Sequence, residues 1–189
     1  MTFAFPAGAA MVQIHVQDEH GKALPDAVVF LESREAKQLA KPVQGAEVAQ
    51  AGRQFVPSVL IVPTGTAVSF PNRDAVRHHV YSFSTIKKFE LKLFAGTPAN
   101  PVVFDKSGIA VVGCNIHDNM AAWVVVVDTP FYTRSDIVGL ASLPSVPAGA
   151  YRLRVWHSRL PVGAAAEDQA LTVGSISASA TVRLTGLNP

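Results

Sequence analysis

The sequence predicts an all-β protein of the sandwich type, and three observations carry that expectation. Val supplies 26 of the 189 residues, and β-branched side chains suit a pleated, half-buried surface. Thirteen Gly and 13 Pro punctuate the chain at short intervals, as turns between strands require. Helical periodicity is confined to Ser33–Ala40, enough for one turn or two. Many short strands separated by turns pack as sandwiches. A chain that is 49% hydrophobic and 16% charged is not a disordered one. Sixteen basic against 14 acidic residues, a net charge of +2, leave no basic stripe for nucleic acid. The length fits one domain or two small ones and buries a core without disulfides.

From the N-terminus, Val12, Ile14 and Val16 alternate with Gln13, His15 and Gln17, the pattern of a half-buried strand. Asp18–Gly21 and Leu24–Asp26 read as turns, and Ala27–Leu31 as a second strand. Pro42 and Gly45 interrupt the short helical stretch that comes next. Val59–Val62 and Thr66–Phe70 are strands around the turn Pro63-Thr64-Gly65. Pro71–Asp74 is a polar turn, and His78–Phe83 is again β-like. Val102–Phe104, Ile109–Val112 and Trp123–Val127 complete a central block. Beyond Thr129-Pro130, Tyr151, Leu153 and Val155 alternate with Arg152, Arg154 and Trp156; Ala170–Val173 and Ala180–Leu184 add two more strands. The longest apolar run, Ala121–Val127, is a buried strand and falls far short of the ~20 residues of a membrane helix. The apolar start, Met1–Ala10, lacks a positive n-region and is shorter than the roughly 15–30 residues of a signal peptide. Gly8, Ala9 and Ala10 read either as the remnant of a processed signal or as a frayed terminus.

A single cysteine excludes a disulfide framework, a four-Cys zinc site and a CxxCH haem attachment. The informative stretch is Cys114-Asn115-Ile116-His117-Asp118-Asn119-Met120, which sets a thiol, an imidazole and a thioether within one loop. One Cys, two His and a weak axial Met are the donors of an electron-transfer copper site. The second His comes from His78-His79, about 35 residues upstream at the start of a strand. Taken singly, each residue has a plainer reading: Cys as inert core, His117 as a loop residue, Met120 as filler. Their joint placement at a strand–loop–strand junction favours the metal. Zinc wants four strong donors, and Met is a poor one. A cysteine nucleophile needs a base and an oxyanion hole, which nothing here signals.

Those residues carry a resemblance. From about Phe55 to Val127 the chain resembles a cupredoxin of the plastocyanin–amicyanin–pseudoazurin family. The matching pieces are Phe55-Val56-Pro57, Leu60-Ile61-Val62 with Gly65-Thr66, Val68-Ser69-Phe70-Pro71-Asn72 with Asp74 and His78, and the loop Cys114–Met120. The wording HHVYSFS and GCNIHD is similar to plastocyanin-like proteins labelled methylamine utilization proteins. The resemblance implies a Greek-key sandwich holding copper (Cu2+/Cu+) through His78, Cys114, His117 and Met120. It implies a periplasmic, non-enzymatic carrier of single electrons, working with a redox protein such as a cytochrome or oxidoreductase. A copper carrier or resistance protein and a β-sandwich assembly module are the alternatives. Two departures stand out. Asn115-Ile116 follows the Cys where the family has Ser or Thr then Pro, and His79 stands where it has a loop-bracing Asn. The family spacing from Asn72 favours His78 as the ligand, and His79 is expected to brace the loop. The flanks resemble the two halves of a carboxypeptidase-regulatory or transthyretin-like domain: Val12–Leu31, and Asp136, Gly139, Leu143, Pro147-Ala148-Gly149 and Tyr151-Arg152-Leu153. The expected organisation is a discontinuous Ig-like/transthyretin-like β domain at 11–44 and 129–189, with a cupredoxin domain at 45–128 inserted. In that arrangement Val28 and Leu153 are expected to share one core.

Overall fold

The computed structural model describes residues 9–117 and 119–189. The expectations placed on Met1–Gly8 and on Asp118 lie outside the described residues. The chain opens with β1 (Ala9–Gln17), β2 (Val28–Glu32) and a short helix α1 (Arg34–Leu39). The middle carries β3 (Ala49–Ala51), β4 (Gln54–Val56), β5 (Val59–Pro63), β6 (Thr66–Val68), β7 (His78–Ser84), β8 (Lys87–Phe94), β9 (Val102–Phe104), β10 (Gly108–Cys114) and β11 (Ala121–Val127). It closes with β12 (Tyr132–Arg134), β13 (Leu140–Pro147), β14 (Gly149–Trp156), β15 (Glu167–Val173) and β16 (Ser177–Arg183). The all-β expectation holds, with α1 the one helix among the described residues. Two compact units emerge: residues 1–39 with 131–189, and residues 40–130.

The first unit is built by both ends of the chain. β1 lies between β13, antiparallel, and β16, parallel. A second sheet runs β12-β2-β14-β15. The alternation read in β1 has a physical consequence: Val12, Ile14 and Val16 are buried while Gln13 and His15 are exposed. They join Val29, Leu31, Leu153 and Val155 in one core cluster. The expectation that Val28 shares this core with Leu153 is corrected. Leu153 pairs with Leu31 and Val155 with Val29, so Val28 falls on the opposite face with its partner Trp156. The run Val28-Val29-Phe30-Leu31 is apolar throughout, so its composition did not fix its phase. Gly139 is required where it stands: φ is +76°, and a Cβ would lie 2.5 Å from the Val16 carbonyl oxygen.

The second unit is organised around a five-stranded sheet, β5-β11-β10-β7-β8. β5 runs parallel to β11, and the other pairings are antiparallel. Two-stranded pieces, β3-β4 and β6-β9, accompany it. The core is formed by Val62, Val68, Phe70, Val80, Phe104, Val112, Val124 and their neighbours, including Cys114 and Met120. Ala110, Val112 and Cys114 alternate inward along β10, which brings the thiol to the core side at the strand's last residue. β8 is an edge strand that does not stand out in the sequence. Its Phe89 and Leu91 pack on the core, while Lys88, Glu90 and Lys92 face out. Charged side chains of this kind keep a sheet edge from pairing with other chains.

Candidate metal centre

Two strand ends and one loop build the site. β7 begins at His78 and β10 ends at Cys114, and the two strands pair so that Cys114 lies opposite Val80 and Gly113 opposite Tyr81. His78 and Val80 are both fully buried. The ladder between β7 and β8 is irregular between His78 and Val80, so His78 enters at a point where strict pairing has lapsed. The connection from β10 to β11 closes on itself. Cys114 N–H donates to the Met120 carbonyl (3.2 Å), and Met120 N–H donates to the His117 carbonyl (3.1 Å). Asn115 N–H donates to the His79 carbonyl (3.2 Å), tying the loop to β7.

Three donor atoms converge there. One ring nitrogen from each of His78 and His117 and the Cys114 sulfur lie within 4.8 Å of one another. His78 Nδ1 is 3.5 Å from Cys114 Sγ, and the two imidazole rings are tilted with centroids 5.2 Å apart. His117 Nδ1 is buried and has no hydrogen-bond partner among the described residues. A buried polar atom left unpaired costs free energy that a bound metal would recover. The group is therefore positioned to hold a metal ion. Met120, 3% exposed, belongs to the same core cluster as Cys114 and lies six residues along the same loop.

The other nitrogen of His78 is also accounted for. Its Nε2 lies 2.8 Å from Asp74 Oδ2. A carboxylate can only accept, so this contact calls for a proton on Nε2, while Nδ1 is the nitrogen that faces the sulfur. Asp74 is held below the usual carboxylate range, first by the Arg53 backbone N–H and then by His78 and the Gly52 N–H, against the opposing effect of burial. Asn72 shapes the approach: Nδ2 donates to the carbonyls of Val76 (2.8 Å) and Phe94 (2.9 Å), and Oδ1 accepts from Asp74 N–H (2.9 Å).

His79 departs from its expected part. Its side chain leaves on the other face of β7, 6.1 Å from Tyr81 between ring centroids, and Nε2 approaches Glu90 at 2.9 Å. That nitrogen makes no hydrogen bond among the described residues, so the contact with Glu90 is one of proximity. Among the described residues it is the His79 carbonyl that ties down the loop, while the imidazole is turned toward Glu90. In the sequence Asp74 belongs to the polar turn Pro71–Asp74 and, with His78, to the pieces that carry the resemblance, but no role at the site is read for it. Its signal was an acidic side chain four positions before a donor His.

No family model matches the chain, and no curated protein matches it significantly. Among solved structures, a purple cupredoxin from Nitrosopumilus maritimus is similar at 22% identity, over 43% of this chain and 99% of that one, with a TM-score of 0.39. An amicyanin mutant in the Cu(I) state is 24% identical over 52% of this chain and 98% of that one, TM-score 0.39. A copper-containing nitrite reductase from Thermus scotoductus SA-01 is 24% identical over 51% of this chain and 27% of that one, TM-score 0.41. With every one of these TM-scores below 0.5, the functional reading stands on the chain's own strand order and donor geometry.

Proposed function

We propose that the unit spanning residues 40–130 is a cupredoxin-like copper domain that carries single electrons. The observation that supports this most is the convergence of His78, Cys114 and His117 donor atoms within 4.8 Å. His78 Nδ1, Cys114 Sγ and a ring nitrogen of His117 would hold the ion, with the Met120 thioether as the weak fourth donor. The chemistry of the donors selects the metal: soft sulfur with two imidazoles suits copper, whereas a structural zinc site asks for four strong ligands. Bound there, copper would supply a one-electron couple. The chain's residues do the rest. Asp74 and the β7–β10 pairing hold two donors on strands, so little has to move when the charge changes. Core residues Phe70, Val80 and Val112 keep the inner side dry. Partly exposed His117 and exposed Ile116 present the loop to a partner.

The setting proposed is the periplasm, with a cytochrome or oxidoreductase as the partner, and a carrier role in place of an enzymatic one. No helix among the described residues is long and apolar enough to cross a membrane. The unit formed by residues 1–39 and 131–189 is proposed to be an Ig-like/transthyretin-like accessory β-sandwich. The pairing of β1 with β13 and β16, and of β2 with β14, supports that reading. Voltammetry of the copper-loaded protein tests the electron-carrier role. Fast reversible one-electron waves are expected. Sluggish, irreversible reduction with ready metal transfer to a chelator would favour a copper carrier instead.

A further inference from the structure

Three N–H groups converge on one carboxylate beside the metal centre. Asp74 Oδ1 accepts from Gly52 N–H (2.6 Å), and Oδ2 accepts from Arg53 N–H (3.0 Å) and from His78 Nε2 (2.8 Å). Gly52 and Arg53 form the turn between β3 and β4, and both hold positive φ, 62° and 58°. Asp74 is in turn set by its own N–H, which donates to Asn72 Oδ1. One acceptor-only side chain thus joins an exposed turn to a fully buried ring. An amide of the same size cannot take its place. It offers one oxygen and presents donors at its other end, so at least one of the three N–H groups would face another donor.

We infer that Asp74 is a positioning residue for the metal centre: it fixes His78 as the Nε2–H tautomer with Nδ1 directed at Cys114, an inference that rests on reading His78 as a metal donor. Without the carboxylate, a neutral imidazole divides between two tautomers, and the form protonated on Nδ1 cannot bind metal through that atom. A ring whose remote N–H is held by a carboxylate is also the more basic donor. Asp74 therefore acts through His78 and touches no metal itself.

The test compares wild type with Asp74→Asn. In metal-free protein, long-range nitrogen–proton NMR of the His78 ring should show one Nε2–H tautomer in wild type and a mixture in the variant. Cu(I) affinity, measured by competition with a chromophoric Cu(I) chelator, should fall by about 10–100-fold in the variant, the usual cost of losing such a partner. A purely structural role for Asp74 would lower the unfolding midpoint and leave tautomer and affinity unchanged, and that result overturns the inference. Finding the Nδ1–H form in metal-free wild type overturns it without any variant. The metal-free spectra decide the role of Asp74 even if wild type takes up no copper, an outcome that sinks the copper reading alone.

Discussion

Replacing Asn72 with Ala perturbs the segment that delivers His78 without touching a donor atom. Asn72 is 6% exposed, and its side chain makes three hydrogen bonds: to Val76 O, to Phe94 O and from Asp74 N–H. Each typical bond contributes about 0.5–1.5 kcal/mol net, and a buried carbonyl left without its donor costs more than the bond was worth. Water can reach the exposed Val76, which offsets part of that. The loss should be about 2–4 kcal/mol. For the unit spanning residues 40–130, roughly 4–8 °C per kcal/mol turns this into a Tm lowered by about 8–32 °C. Urea denaturation followed by far-UV circular dichroism measures the free energy directly. Asn72→Asp should fare no better than Ala, because it keeps the acceptor for Asp74 N–H, loses both donors and places a carboxylate against two carbonyl oxygens. A loss below about 0.5 kcal/mol, the range of ordinary surface substitutions, would show that the 72–78 segment is not held as described.

Two further outcomes are expected. His78→Ala should abolish a thiolate–copper absorption band or leave a gap that added imidazole refills, whereas His79→Ala should keep the band; absorption spectra of the two copper-loaded variants distinguish them. His157 is 6% exposed, accepts Arg159 N–H on Nδ1 (3.0 Å) and reaches the Pro25 carbonyl through Nε2 (3.1 Å), and burial holds it below its ordinary value of 6.5. The unfolded chain therefore binds the proton first, so stability should fall as pH drops below about 6.5 and level off beneath the folded-state value; His157→Gln should flatten this slope in urea titrations at several pH values.

Strands with clear alternation were legible in the sequence because one face met water. β1 and β14 are of that kind. Val28–Leu31 was visible as a strand but not in phase, since every side chain in it is apolar. β8 carries three Lys and one Glu in eight residues, so its inward Phe89 and Leu91 were masked by charge. β3, β4 and β12 are three residues each, too short for any period to register. At the site, the donor types and their loop spacing stood out because Cys114 has no other cysteine to compete with it. The family spacing from Asn72 favours His78 over His79, and in the structure the His78 ring faces Cys114 while the His79 ring faces Glu90. The role of Asp74 needed the fold, because Gly52 and Arg53 are brought to it from about 20 residues upstream.

The central claim is that Cys114 is a copper thiolate ligand. Adding one equivalent of Cu(II) to metal-free protein and recording the visible and EPR spectra tests it most directly. Intense absorption from thiolate-to-copper charge transfer is expected in wild type and should vanish in Cys114→Ser, since no other thiol exists in the chain. A colourless wild-type complex, or an unchanged band in Cys114→Ser, would contradict it.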